Sequence, residues 1–419
     1  MLKILWLVNI KLPEISIIQG KINTTYVGGW LSGLYNSLIQ SEEIEKIIIC
    51  YPINDISEHG ESLKTIFSSF DISDDQKLIR NNFIDIIDKY KPDIIHIHGT
   101  EYDYSYIMQK AADDLGIGDR TVCSIQGLVS IYAEHFFGGM EEHEYRKKTV
   151  YERIKRKSLM DTYHDYCERG KSEIELLKST SNVIGRTSWD KACTYLINPE
   201  ANYYHCNEIL RSNFYTGKWE YAKCEKHSIM LSQGAKPIKG LQMAIKAMSI
   251  IVGFYPDTIM YVAGNNILDN KVATRNSYVK YIKDLIGKYN LANKVVFTGA
   301  LQAEEMKQRM LNTNVFLLPS SIENSPNSLG EAMMLGVPCV ASDVGGVSGM
   351  MKHEVEGYIY PFNEYYKMAY YIIEIFNKEA QIEEMGFKAA RKARITHNPE
   401  INTKELLKIY HKVVQGRWV

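Results

Sequence analysis

Two glutamates, Glu323 and Glu331, stand eight positions apart around a Pro/Asn/Ser/Gly turn in the stretch SSIENSPNSLGEAMMLGVPCVASDVGG, residues 320 to 346. An ionised carboxylate only accepts hydrogen bonds, which suits it to neutral hydroxyl groups. The preceding VFLLPS reads as a strand, IENSPNS as the loop at its carboxyl end, and LGEAMMLG as a helix stopped by Gly336 ahead of Pro338. Pro326 lies close to the helix start, and Asn327 or Ser328 is expected to cap it, leaving first-turn N–H groups for a phosphate. The ordinary role of an early helical glutamate is to complement the macrodipole, worth about 0.3–1 kcal/mol. Beside a phosphate-binding helix start, however, a carboxylate is costly unless it faces something neutral, such as sugar hydroxyls.

Short apolar runs ending in Gly, Asn, Ser or Asp recur along the chain. They are KILWLVN, EKIIIC, PDIIHIHG, TVCSIQG and SNVIGRT, then HSIMLSQG, TIMYVAG, NKVVFTG, NVFLLPS and VPCVASD. Stretches with helical spacing separate most of them. Continuous apolar strands alternating with helices predict parallel sheets covered on both faces, and two successive series predict two doubly wound domains. The join is expected in the polar and aromatic stretch 207–226, which has no clear strand. The resulting division is an N-terminal Rossmann-like domain over 1–210 and a C-terminal one over 211–395. A last helix over 396–419 is expected to pack back toward the first domain.

At 419 residues the chain exceeds what one hydrophobic core usually supports. The formal net charge of −1 exerts no global pull on nucleic acid, and no nucleic-acid partner is expected. Seven scattered cysteines, an odd number with no C-x-x-C pair, read as reduced thiols of a cytoplasmic protein. The N-terminal MLKILWLVNI is too short for a membrane span and fits a first buried strand. From Arg146 to Lys157 the segment RKKTVYERIKRK holds seven basic residues and one acid. It is either a solvated helix face or a surface that rests on anionic lipid or a lipid-linked acceptor.

The dinucleotide fingerprint G-x-G-x-x-G is missing after the first strand. Gly28, Gly29 and Gly33 come later, in TTYVGGWLSGLYNSL, where they read either as a simple turn or as a backbone anion site entering a helix.

With Asn324 to Gly330 between the two glutamates, then Ala332, Met333, Gly336, Pro338 and the Asp343 to Gly346 tail, the stretch resembles the E-x7-E signature of retaining glycosyltransferases of family 4. Further pieces fall in family order: VGGW, PDIIHIHG, GRTSWD from Gly185, PIKG from Pro237, YVAG from Tyr261 and VFTGAL from Val296. The resemblance covers most of the chain. It is densest over 228–360 and weakest over 128–180. It implies the GT-B fold, an α/β architecture of two doubly wound Rossmann-like domains facing across a cleft.

It also implies roles. Glu331 would hold the ribose hydroxyls of a nucleotide-sugar donor and Glu323 the hydroxyls of its hexose. Backbone amides of Asn324, Ser325, Pro326–Asn327, Ser328 and Leu329 would frame hexose or diphosphate oxygens. Lys239 would neutralise the departing diphosphate, making Glu323 and Lys239 the expected catalytic pair. The family's arginine before the Lys-Gly pair is absent from SQGAKPIKG; Gln233 or Lys236 stands there, and a glutamine carries no charge. Either Lys236 supplies the second cation or diphosphate stabilisation is weaker. Gln126 stands where the family often has a histidine; His98, with His96, reads either as a cleft or acceptor residue at a strand end or as a satisfied structural histidine.

No metal or other cofactor is implied, since no D-x-D-like carboxylate pair follows a strand. The resemblance thus predicts a hexosyltransferase, with a UDP-sugar favoured, acting on a glycan or lipid-linked acceptor in cell-surface polysaccharide assembly. Its expected location is the cytoplasm or the inner face of the plasma membrane. The alternatives are another GT-B nucleotide-sugar enzyme such as an epimerase, and a catalytically silent nucleotide-sugar-binding scaffold.

Overall fold

The computed structural model describes residues 1–20, 29–54, 58–72, 75–264, 267 and 275–416. Contacts divide the chain into two units. The first comprises residues 1–131, 167–210 and 397–419; the second comprises 132–166 and 211–396.

The first unit holds an eight-stranded sheet: Leu2–Val8 (β1), Ile44–Ile53 (β2), His59–Glu61 (β3), Thr65–Asp71 (β4), Ile94–His98 (β5), Thr121–Ser124 (β6), Asn182–Gly185 (β7) and Asn202–His205 (β8). Its order is β3-β4-β2-β1-β5-β6-β7-β8, parallel except for the antiparallel edge strand β3. Both faces are buried, as the continuous apolar strands predict. Ile4, Trp6 and Val8 of β1 enter one core while Leu5 and Leu7 enter the other, and Ile47, Ile49 and Tyr51 of β2 alternate with Ile48 and Cys50 in the same way.

The helix Pro399–Gln415 seals the first of these cores with Leu406, Leu407, Ile409, Tyr410 and Val413. Its ends follow ordinary rules: the Asn398 side chain accepts from the Ile401 N–H, Pro399 occupies the first turn, and Gly416 takes the left-handed C-terminal conformation.

The second unit holds six parallel strands: Glu225–Leu231 (β9), Ile259–Val262 (β10), Val295–Phe297 (β11), Thr313–Leu318 (β12), Cys339–Ser342 (β13) and Tyr358–Tyr360 (β14). The order β11-β10-β9-β12-β13-β14 is the doubly wound 3-2-1-4-5-6 pattern, which reverses direction between β9 and β12. Ligands of such sheets bind beyond the strand carboxyl ends at this reversal.

Two details differ from the sequence expectations. Residues 132–166, assigned by sequence to the first domain, pack with the second unit. Buried hydrogen bonds hold them there: Gln242 Nε2 donates to the Gly138 carbonyl at 2.6 Å, and the Ser277 N–H and hydroxyl both donate to Glu152 Oε1. Strands β3, β4, β8 and β14 had no counterpart in the apolar runs. Two of them, β3 and β8, carry no fully buried residue, and β4 reads TIFSSFD, whose serines interrupt the apolar signal.

Candidate active site

The site is built on the loops that follow β9 and β12, the two strands flanking the reversal. After β9 the chain makes a single turn of 3₁₀ helix, Pro237–Lys239, and enters the helix Leu241–Phe254 through Gly240. Gly240 has φ of +72°, and a Cβ there would collide with the Pro319 carbonyl at the end of β12. That close approach brings Lys239 to Glu323: Nζ lies 2.6 Å from Oε1. The Ser320 hydroxyl donates to the same oxygen at 2.7 Å. The Glu323 side chain is only 8% exposed, so its charge is compensated by the lysine that the sequence expectation aimed at a phosphate.

A second glycine fixes the loop from the other side. Gly345 has φ of +52°, where a Cβ would strike the Glu323 carbonyl, and the Gly346 N–H donates to that carbonyl at 3.0 Å. The helix Asn327–Leu335 then starts behind Pro326, which is its N-cap residue. No side chain caps it, so the expectation that Asn327 or Ser328 would do so is not met; both fall inside the first turn. Proline has no side-chain acceptor, so no capping side chain offsets the positive end of this helix start. Upstream, the Asn324 N–H donates to the Tyr132 hydroxyl at 2.9 Å, and the Ser321 hydroxyl donates to the His135 carbonyl at 2.8 Å. The 132–138 segment is thus part of this candidate site, although no motif marks it.

Glu331 sits in the second turn of the same helix with its side chain 4% exposed. Arg211 grips it with both arms: Nε to Oε1 at 2.6 Å and Nη2 to Oε2 at 2.7 Å. Burial pushes the Glu331 carboxyl up, and the Arg211 guanidinium pulls it only part of the way back. Sequence reasoning missed Arg211, which lies ahead of β9 in a stretch with no apolar run and belongs to no motif. Lys236 and Gln233, the two candidates for the absent family arginine, are both exposed; Lys236 Nζ lies 3.3 Å from the Tyr166 hydroxyl and over its ring. Among the described residues, the arginine nearest the E-x7-E carboxylates is therefore Arg211, bound to the second of them.

The residues proposed from the first unit have other surroundings. Gly28 lies outside the described residues, and Gly29 is the first residue of the helix Gly29–Ile39. His98 is 3% exposed, stacked on His96 at 3.7 Å between ring centroids and edge-on to Trp6 at 4.5 Å. Of the two readings of His98, this burial at the end of β5 favours the structural one, and it pushes both imidazoles down into the neutral form. His96 bonds Tyr410 and Ser124, each at 2.6 Å. Gln126 is half-buried just beyond β6.

Comparison with known proteins gives this geometry its family. Residues 218–393, which include Lys239, Glu323 and Glu331, match the family model Glycosyl transferases group 1. The chain carries a glycosyl transferases group 1 domain. A putative glycosyltransferase of Bacillus subtilis, YtcC, is 26% identical over 48% of this chain and 48% of its own length. The amylovoran biosynthesis glycosyltransferase AmsK of Erwinia amylovora is 27% identical over 32% of this chain and 34% of its own length. The Escherichia coli UDP-Gal:alpha-D-GlcNAc-diphosphoundecaprenol alpha-1,3-galactosyltransferase is 24% identical over 26% of this chain and 29% of its own. The chain thus spans about half the length of the first of these relatives and about a third of the others.

Among solved structures, the sucrose-phosphate synthase of Thermosynechococcus elongatus superposes with a TM-score of 0.73 at 16% identity, covering 100% of both chains. Anabaena HepE in complex with UDP-glucose gives 0.70 at 14% identity, over 98% of this chain and 100% of that one. Together with the two parallel sheets, these likenesses identify the fold of the chain as GT-B.

Proposed function

We propose that this protein is a retaining glycosyltransferase that moves a hexose from a nucleoside-diphosphate sugar to a glycan or lipid-linked acceptor in cell-surface polysaccharide assembly. The observation that carries the reading is the meeting of Lys239, from the loop after β9, with Glu323, from the loop after β12, at the reversal of the six-stranded sheet. A UDP-sugar is the favoured donor, because a relative is named for UDP-galactose and a protein of the same fold was solved with UDP-glucose. The acceptor class is supported by relatives named for amylovoran biosynthesis and for a diphosphoundecaprenol substrate.

The chemistry follows from the charges. The bond between the anomeric carbon and the diphosphate oxygen breaks, the acceptor oxygen bonds to the same face of the sugar, and the acceptor proton passes to the departing phosphate. Positive charge develops on the sugar and negative charge on the phosphate. An arriving diphosphate competes with Glu323 for Lys239; Lys239 and the uncapped helix start at Asn327 then stabilise it as the leaving group. Glu323 is then released to accept hexose hydroxyls, and Glu331 takes the ribose hydroxyls. The helix Val150–Lys155 supports a membrane-borne acceptor: Val150 is 73% and Ile154 74% exposed beside the basic Arg153, Lys155 and Arg156.

A thermal-shift screen against UDP, GDP, ADP, CMP and the matching nucleotide sugars tests the donor, since a ligand at 100 times its dissociation constant adds about 2.7 kcal/mol. Glu331→Gln is expected to weaken nucleotide binding about tenfold, and Lys239→Ala to lower turnover by about 10²–10³. Unchanged binding and kinetics in both variants would reduce the motif to a structural element and overturn the reading.

A further inference from the structure

We propose that Arg211 is a positioning residue of the nucleotide site, holding Glu331 as a charged, fixed acceptor for two neighbouring hydroxyls; this rests on the ribose role given to Glu331 above. Arg211 lies outside the matched family segment 218–393 and outside the E-x7-E motif.

The geometry points to this role in three steps. First, a carboxylate offers about four lone-pair positions, and the guanidinium fork uses one on each oxygen, at 2.6 and 2.7 Å. One position on each oxygen remains, matching a pair of vicinal hydroxyls. Second, the fork is itself held. Arg211 Cζ lies 4.7 Å over the ring of the fully buried Phe214, in the turn Ser212–Tyr215 that packs on the Glu331 helix. Third, burial alone would favour the neutral carboxyl, which presents a donor where hydroxyl recognition needs acceptors. Against that burial, Arg211 is the charged group acting on Glu331 among the described residues. The helices Ala303–Leu311 and Glu379–Thr396 and strands β12 and β13 also pack on this helix without setting another charge on the carboxylate.

A sign follows for pH. Without Arg211 the buried carboxyl titrates at a higher pH, so nucleotide affinity is lost as pH falls. With it, the upward push of burial is partly offset, so affinity falls less over the same range.

The test is calorimetric titration of the full chain with UDP, GDP and ADP at pH 6 and pH 8.5, for wild type, Arg211→Gln, Arg211→Lys, Glu331→Gln and the double variant Arg211→Gln/Glu331→Gln. For whichever nucleotide wild type binds, Arg211→Gln should lose at least tenfold at pH 6 and recover part of it at pH 8.5. Arg211→Lys should follow the wild-type pH dependence but bind more weakly, because it retains charge and loses the fork. The double variant leaves no buried charge to misfold the site, and it should bind like Glu331→Gln alone, with no pH dependence. Equal losses for Arg211→Gln at both pH values, added in full to that of Glu331→Gln in the double variant, would make Arg211 merely structural and overturn the proposal. Wild type that binds none of the three nucleotides would instead overturn the donor reading, and this inference with it.

Discussion

At the scale of single residues, the molecule buries several carboxylates and answers each differently. Glu323 is met by Lys239 and Ser320, and Glu331 by Arg211. Glu173, in the first unit, accepts from Thr100, from the Val129 and Ser130 amides and from the Ser130 hydroxyl. Glu101, just beyond β5, is less well served: its Oε2 is buried without a partner, and burial pushes the group up to about 7. Because the folded state binds this proton more tightly than the unfolded chain does, its contribution to stability is complete below the usual value near 4.5. It is lost as pH rises through about 7, at about 1.4 kcal/mol per unit between them. We expect Glu101→Gln to melt higher than wild type at pH 8, with the difference vanishing near pH 4.5. An unchanged difference across that range, read by calorimetry, would count against a buried ionisation. None of these pairings could be read from residue order. The E-x7-E spacing marks Glu323 and Glu331, whereas their partners come from 84 and 120 positions away.

At the scale of elements, two left-handed glycines do the placing. Gly240 lets the entry to the Leu241–Phe254 helix touch the end of β12, and Gly345 lets the segment after β13 cover the Glu323 loop. Alanine at either position meets both an unfavourable φ and a backbone carbonyl, which costs about 1–3 kcal/mol and shifts the loop that carries the site. We expect Gly345→Ala to lower both the melting temperature and donor affinity. Gly253→Ala is the contrasting case: in an exposed stretch of helix with nothing near a new Cβ, it should stabilise by about 0.5–1 kcal/mol and leave affinity unchanged. Denaturant midpoints and nucleotide titrations on the two variants separate backbone placement from general stability. The turn, the helix and the stop at Gly336 were legible in the sequence, since Pro, Gly and apolar periodicity act locally. The uncapped start was not, because capping depends on where the chain turns, and that was Pro326 rather than Asn327.

At the scale of the whole chain, the basic segment 146–157 takes a definite form. Glu152, its one acid, is drawn inward, capping its own short helix with Thr149 and accepting from Ser277. That leaves Val150, Ile154 and the surrounding lysines and arginines outward. Sedimentation with anionic vesicles should pull the protein down at low salt, weaken at high salt, and weaken further for Val150→Ser/Ile154→Ser. No binding at either salt concentration would remove the membrane contact. Among the described residues no helix is long and apolar enough to cross a membrane. Removing the helix Pro399–Gln415 should destabilise the first unit, because Leu406, Leu407, Ile409 and Tyr410 lie in its core.

The sequence by itself determined the two parallel α/β sheets and the strand–loop–helix unit holding Glu323 and Glu331. Apolar runs, turn residues and motif spacing are local signals that survive without coordinates. Only the tertiary structure decided which charge answers which. Lys239 met Glu323 and Arg211 met Glu331, His98 was packed into a core, and 132–166 joined the second unit. Such pairings form between segments far apart in the chain, where burial selects the partner that compensates a charge, and a one-dimensional pattern carries no record of that choice.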